Sequence, residues 1–454
     1  MQISQLTHQH LVNRYVEKAD FVAIVAPGCL HADRRDPETK LRTKTCYRTY
    51  RKRGWCVLEM FAAYLSREKT HPILLITSAR GTPEWVSPLE AQKLAVGMCD
   101  FTCCQRNHKF GDKIVPCDRG ITRDILEMLI QSKIEMLFQT GNIQLARMFT
   151  SMAHWWLRNS STISSSTCTS IEALKRQLRW NETKDGKASP FDRFGFPILC
   201  YAVLGNHLTA VRNILSVYEK SIDLLLSWRV PSTGVIEVGV PGHGTCLGAA
   251  MTLASPDVVI VLLQAGANMY ATDIMGNDGM MLAASFNRLD NIKTWFARNP
   301  HWEVDRKNER FGSTSLHIAV YVGQGNLDAV KYLIGKKEAN IDQLNKSGSS
   351  TLVLACGNED CDPQVVRYLL ECGVDVNRQI TSETTKWRFV RGGSKLAVRF
   401  NMTRSKLIRR VAESGGLTAL HYAARRGDME IVELLLEHGA KPSIKNDLGR
   451  DVLS

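Results

Sequence analysis

The stretch GLTALHYAARRGDMEIVELLLEHGAKPSIKNDLG runs from Gly416 to Gly449 and returns to its own opening after 33 residues. It reads as a Gly turn, then a short helix carrying Ala423 and Ala424 where a neighbour must come close. A second helix follows, with Ile431, Val432, Leu434, Leu435 and Leu436 at helical spacing. Gly439 supplies the left-handed residue that closes such a helix. A Gly with Ala seven residues later recurs at Gly195/Ala202, Gly242/Ala249, Gly276/Ala283, Gly312/Ala319 and Gly348/Ala355. The starts are spaced 47, 34, 36, 36, 68 and 33 residues apart, the last at Gly449. The second-helix pattern returns in Val258, Val259, Val261, Leu262 and Leu263, and in Val365, Val366, Leu369 and Leu370. One such helix pair cannot bury its apolar stripe alone. Pairs laid side by side can, so the pattern predicts a solenoid stabilised by nearest-neighbour interfaces.

TSLHIA at Thr314–Ala319 and TALHYAARRGDMEIVELLLEHGA at Thr418–Ala440 resemble the ankyrin repeat. The resemblance covers roughly residues 191–454, with insertions at 228–241 and 380–415, and implies a groove that binds other proteins. It also implies that His317 and His421 are structural turn residues beside Thr314 and Thr418. The units at Gly195 and Gly276 lack the Thr-x-Leu-His turn. In the best unit Arg425, Arg426 and Asp428 are the expected exposed partner contacts.

From Thr381 to Gly415 there are nine Lys/Arg against two Glu. Trp387, Arg388 and Arg391 are candidate contacts there for an acidic peptide, a phosphate or a nucleic-acid backbone. The competing readings are a solvated loop or a degenerate helix pair. Residues 228–241, WRVPSTGVIEVGVP, read as a turn-rich hairpin or finger. The closing DLGRDVLS opens another repeat, and is read as a short cap or a truncation.

Residues 1–130 show no such period. A helical LVNRYVEKA precedes an apolar strand at Phe21–Val25, a long basic loop, a helix from Trp55 to Leu65 and a second strand at Ile73–Ile76. Strand, helix, strand with Pro and Gly punctuation predicts a parallel α/β sheet. The run RGWCVLEM, Arg53–Met60, resembles the Trp-Cys-x-x-Glu helix in the second half of TIR domains. That resemblance implies NAD cleavage with Glu59 as the catalytic carboxylate, beside Trp55 and Cys56. A carboxylate there would stabilise oxocarbenium-like charge on the ribose. The strand–helix–strand that opens a TIR domain has no room before Phe21. The competing reading makes Trp55 a core anchor and Glu59 an exposed helix residue.

Cys99, Cys103, His108 and Cys117 are candidate zinc ligands, although no Cys-x-x-Cys pair is present and the adjacent Cys103–Cys104 suits a tetrahedral site poorly. Buried free thiols are the competing reading. Residues 131–190 read as a helical bridge or cap, with Trp155 and Trp156 packing and a Ser/Thr-rich breaker at 159–170.

At 454 residues, with 44% hydrophobic and 23% charged, the composition is that of a folded chain. The longest apolar runs, Phe21–Pro27 and Val258–Leu263, fall far short of the ~20 residues that cross a bilayer. Thirteen cysteines, an odd number without a dense framework, predict reduced thiols in a cytosolic or nuclear compartment. A net charge of +13 favours acidic partners: proteins first, a nucleic acid or anionic membrane surface as the alternative. The sequence therefore predicts a mostly α protein, an ankyrin-repeat α-solenoid behind a smaller N-terminal α/β module. Its expected role is a protein-interaction scaffold in signalling, with no cofactor; the rival is an NAD glycohydrolase targeted by its repeats.

Overall fold

A computed structural model describes residues 19–26, 29–35, 42–66, 71–77, 83–158, 168–180, 189–323, 327–358, 360–381, 385–400, 402 and 406–453. The predicted helix before Phe21 and most of the Ser/Thr-rich breaker lie outside the described residues. By contact the chain separates into two units, Met1–Ile274 and Met275–Ser454.

In the first unit, strand β1 (Val22–Val25) pairs in parallel with β4 (Ile73–Ile76), Val22 opposite Ile73. The crossover between them carries a β-hairpin, β2 (Cys29–Arg35) and β3 (Arg42–Thr45), then helix α1 (Tyr47–Tyr50) and helix α2 (Gly54–Leu65). The expected basic loop is thus a hairpin and a helical turn, and its Arg48 and Arg51 are buried. The two expected strands do pair in parallel, and a third, unexpected strand joins them. Strand β5 (Glu84–Val86) runs antiparallel to β4, because the connection 77–83 is too short for the dozen or so residues a parallel crossover needs.

Helix α2 buries Val57, Met60, Phe61 and Tyr64 and packs against helix α4 (Asp118–Gln139). Its first residue is a close approach: a Cβ on Gly54 would lie 2.0 Å from the Phe101 ring. Between them lie the short helix α3 (Thr102–Gln105) and a hairpin of β6 (Lys109–Phe110) and β7 (Lys113–Ile114). Helix α5 (Ile143–Trp156) brings Phe149 and Trp156 onto Tyr64, with ring centroids 5.7 and 5.9 Å away. It also packs against Ile198–Leu204, the first helix of the first repeat-like pair. That pair continues in Leu208–Val217, and Cys246–Leu253 with Pro256–Gln264 forms the next. Between them residues 228–241 form turns and one 3-10 turn, Ile236–Val238, fastened where the Tyr64 hydroxyl donates to the Glu237 carbonyl at 2.8 Å.

The second unit holds four helix pairs whose first helices are Gly279–Ser285, Ser315–Tyr321, Thr351–Gly357 and Ala419–Arg425. Each packs on the next in that order. The repeat at Gly416 therefore stacks directly on the one at Gly348, although 68 residues separate their starts. The intervening segment is neither a loop nor a member of the stack. Helices Thr385–Arg399 and Lys406–Glu413 pack on each other outside it.

Candidate functional site

Each first helix of the second unit opens on a side-chain cap. Asp278, Thr314, Ser350 and Thr418 accept from the amides of Met281, His317, Val353 and His421. A cap of this kind satisfies an otherwise orphaned helix N–H and fixes where the helix begins. In two repeats the reciprocal bond is made by histidine: the Thr314 and Thr418 amides donate to Nδ1 of His317 and His421 at 3.1 and 3.2 Å. His317 Nε2 then bonds the Gln343 carbonyl at 3.0 Å, joining one turn to the next. Burial pushes the His317 pKa down to about 4, helped by Lys307 and opposed by the Gln343 bond. Both histidines are buried and serve the scaffold.

Because the caps set a common register, the same face is open in each repeat. Four residues after the cap stand Leu282, Ile318, Leu354 and Tyr422, each half-buried, while the residues on either side of Ile318 and Leu354 are mostly buried. Seven residues after the cap stand Ser285, Tyr321, Gly357 and Arg425. A Cβ on Gly357 would lie 3.8 Å from the rings of both Tyr321 and Tyr422, so these two tyrosines converge over it from the repeats on either side. The outcome is an apolar row with two aromatic rings, edged by exposed Arg425. The repeat pattern alone did not mark this row. Its signal was present in the larger apolar residue that recurs four places after each cap, between buried alanine-rich positions.

The expected partner contacts are distributed differently. Arg425 is exposed and pairs with Glu413 at 3.1 Å. Arg426 is a correction: it turns inward and donates to the carbonyls of Cys356 (2.7 Å) and Asn358 in the neighbouring repeat. Asp428 is another, buried as the cap of Met429–Glu437. Arg391 is buried too and donates to the Ser347 carbonyl at 3.1 Å, with Lys395 paired to Asp447 nearby at 3.2 Å. Trp387 is half-buried; Arg388 is exposed, as are Phe389 and Leu396 on the same helix and Phe400 just past its end.

In the N-terminal part Glu59 is exposed and accepts from the Tyr50 hydroxyl at 2.9 Å. Partial burial of its carboxyl pushes its pKa up, and the Tyr50 hydrogen bond opposes the shift. Trp55 is not a core anchor: its ring is partly exposed and its indole N–H donates to Asp118 at 3.2 Å. Cys56 beside it is held protonated, pushed up to about 11 by burial and then by Glu59.

The four expected metal ligands do not all meet. Cys99 lies apart, buried, with its thiol donating to the Ala95 carbonyl. Its place is taken by Cys104: the donor atoms of Cys103, Cys104, His108 and Cys117 all lie within 4.8 Å of one another. Burial alone would raise the Cys117 thiol, but the Arg119 amide, His108 and Cys104 outweigh it and bring the pKa to about 7.

Comparison with known proteins bears on the repeats. A family model described as ankyrin repeats in three copies matches residues 280–380, and a single ankyrin repeat matches 415–447. The B-cell lymphoma 3 protein homolog of Mus musculus is 28% identical over 263 residues, covering 57% of this chain and 47% of that protein. The ankyrin repeat and KH domain-containing protein mask-1 of Caenorhabditis elegans is 24% identical over 258 residues, covering 50% of this chain and 10% of that one. The chain thus spans about half or less of the length of these relatives. Among solved structures, the ankyrin repeat domain of Bcl-3 matches at 24% identity and a TM-score of 0.38, covering 56% of this chain and 91% of that one. No helix among the described residues is long and apolar enough to cross a membrane. With their capped first helices stacked in register, residues 280–380 and 415–447 are ankyrin repeats.

Proposed function

We propose that this chain is a protein-interaction scaffold that grips an acidic partner protein along the row Leu282, Ile318, Leu354 and Tyr422. The observation that carries this reading is the convergence of Tyr321 and Tyr422 over Gly357, which makes one continuous aromatic surface from three repeats. Tyrosine supplies a large contact area with little rotamer freedom to lose, and a half-open apolar row gains by being covered. The net charge of +13 and the exposed Arg425 at the edge favour an acidic partner. Residues 1–130 would act as a second docking module and 131–190 as the helical cap between it and the repeats, in a cytosolic or nuclear setting.

Affinity capture tests the reading. Wild type and Leu354→Glu are compared for the proteins each retains at matched thermal stability. The reading expects a set of acidic proteins held by wild type and reduced at least about tenfold by the variant, since one buried interface charge costs more than ~1.4 kcal/mol. Equal retention by both proteins would reject it. Retention of nucleic acid that collapses steeply with salt, with Leu354→Glu unaffected, would favour the anionic-ligand alternative.

A further inference from the structure

In the first unit, one knuckle of chain brings three sulfurs and an imidazole together. Cys103 and Cys104 lie on α3, and Cys117 is the residue from which α4 springs. Between them the chain takes two successive left-handed residues, Asn107 (φ 50°) and His108 (φ 57°). Such residues cost roughly 1–3 kcal/mol each and persist where the surroundings hold them. Here they fold His108 back so that its Nε2 lies 3.6 Å from the Cys104 sulfur. The β6–β7 hairpin then closes, with the Val115 amide donating to the His108 carbonyl at 2.8 Å, and returns the chain to Cys117. Cys104 Sγ lies 3.6 Å from Cys117 Sγ and 4.0 Å from Cys103 Sγ.

We propose that Cys103, Cys104, His108 and Cys117 bind a structural zinc ion. Tetrahedral zinc with Zn–S of about 2.3 Å and Zn–N of about 2.0–2.1 Å places neighbouring donor atoms roughly 3.5–3.8 Å apart. Two of the observed separations, 3.6 and 3.6 Å, fall within that range, and the third, 4.0 Å, lies just above it. Cys103 and Cys104, though adjacent, hold their sulfurs 4.0 Å apart, and both lie within 4.8 Å of the other two donors. The Asp118 amide, at the start of α4, donates to Cys103 Sγ at 3.4 Å, the kind of outer bond that steadies a metal thiolate. That helix end also favours the negative charge of three thiolates around one divalent ion. Binding exchanges the three thiol protons, released to solvent, for three Zn–S bonds, and changes no oxidation state. Four protein donors leave no open position, so the ion would be a staple and not a Lewis acid. It would tie α3 and the β6–β7 hairpin to the start of α4, where Asp118 holds Trp55.

The test is metal analysis of the full chain isolated with reductant and zinc, then dialysed. About one zinc per chain is expected by elemental mass spectrometry. Replacement by cobalt should give the visible and near-ultraviolet bands of a tetrahedral cobalt–thiolate centre. Cys104→Ser and Cys117→Ser should each hold under about a tenth of an equivalent, and Cys99→Ser a full one. Wild type that holds less than about a tenth of an equivalent and gives no cobalt–thiolate band would overturn the assignment. So would a Cys104–Cys117 disulfide in peptide maps of the native chain. If the serine variants fail to fold, the wild-type cobalt spectrum alone decides.

Discussion

The amide of Ile380 donates to the carbonyl of Leu417 at 2.9 Å, and the amide of Gly416 returns the bond to the Ile380 carbonyl at 3.0 Å. This clasp brings the two ends of the basic insertion to one point and lets Ala419–Arg425 pack on Thr351–Gly357. Gly348 is part of the same junction: its φ is +82°, and a Cβ there would collide with the Thr381 carbonyl.

Replacing residues 382–414 by a short Gly/Ser linker should therefore leave the stack folded. The deletion removes the Arg391–Ser347 bond and the Lys395–Asp447 and Arg425–Glu413 pairs, a combined loss of about 2–4 kcal/mol. Circular dichroism should show the helical signal retained and one cooperative transition at a lower midpoint. Loss of cooperative unfolding would show that the insertion belongs to the stack.

Arg147 on α5 and Asp192 before the first repeat form an ion pair at 3.1 Å in which both side chains are shielded from water. Arg147 also donates to the carbonyls of Leu178 and Arg179, while Asp192 accepts from the Tyr201 hydroxyl and the Phe194 and Phe196 amides. Arg147→Ala strands a buried carboxylate and should cost about 3–5 kcal/mol in denaturant unfolding of the first unit. Arg147→Met with Asp192→Asn should recover part of that loss. A cost under about 1 kcal/mol for Arg147→Ala would mean the pair is solvated.

The buried His317, with its pKa near 4, gives the second unit a pH dependence. The unfolded chain takes up a proton near pH 6.5 that the folded chain refuses until about pH 4. Stability from this group is complete above pH 6.5 and is lost as pH falls through that window, by up to about 1.4 kcal/mol per pH unit. His421 is shifted in the same direction by burial. Denaturant midpoints between pH 7.5 and 5 should fall less steeply in His317→Gln than in wild type. Parallel slopes would contradict the assignment.

Glu59 separates the scaffold reading from the NAD glycohydrolase reading. Its carboxylate is tied to Tyr50, and the described sheet has one parallel pair of strands. The scaffold reading expects no nicotinamide release from NAD above that of Glu59→Ala, followed by chromatography. Turnover abolished by Glu59→Ala would establish the enzyme.

The repeats were legible because their determinants are local. Gly turns, Thr or Ser caps and paired alanines each perform one steric task at a fixed spacing, and Gly416, Thr418 and Ala423–Ala424 show all three. Features set by distant packing were hidden. Arg391 looks like surface in a basic run, and only the closure of Ile380 on Leu417 places it over Ser347. Cys104 looks redundant beside Cys103 until the left-handed turn at Asn107 and His108 returns the imidazole to it. Strand β5 has three residues and too little pattern to register. The half-open row of Leu282, Ile318, Leu354 and Tyr422 was in the sequence all along, but its meaning depends on which side of each helix its neighbour covers.

The central claim is that this row is where a partner sits. Site-specific photocrosslinking addresses it directly, with the reactive group placed at Leu354 on the row or at exposed Glu437 on a second helix. In extract of the native cell, the account expects discrete protein adducts from position 354 that are absent from position 437. Adducts from 437 alone, or the same adducts from both positions, would contradict it.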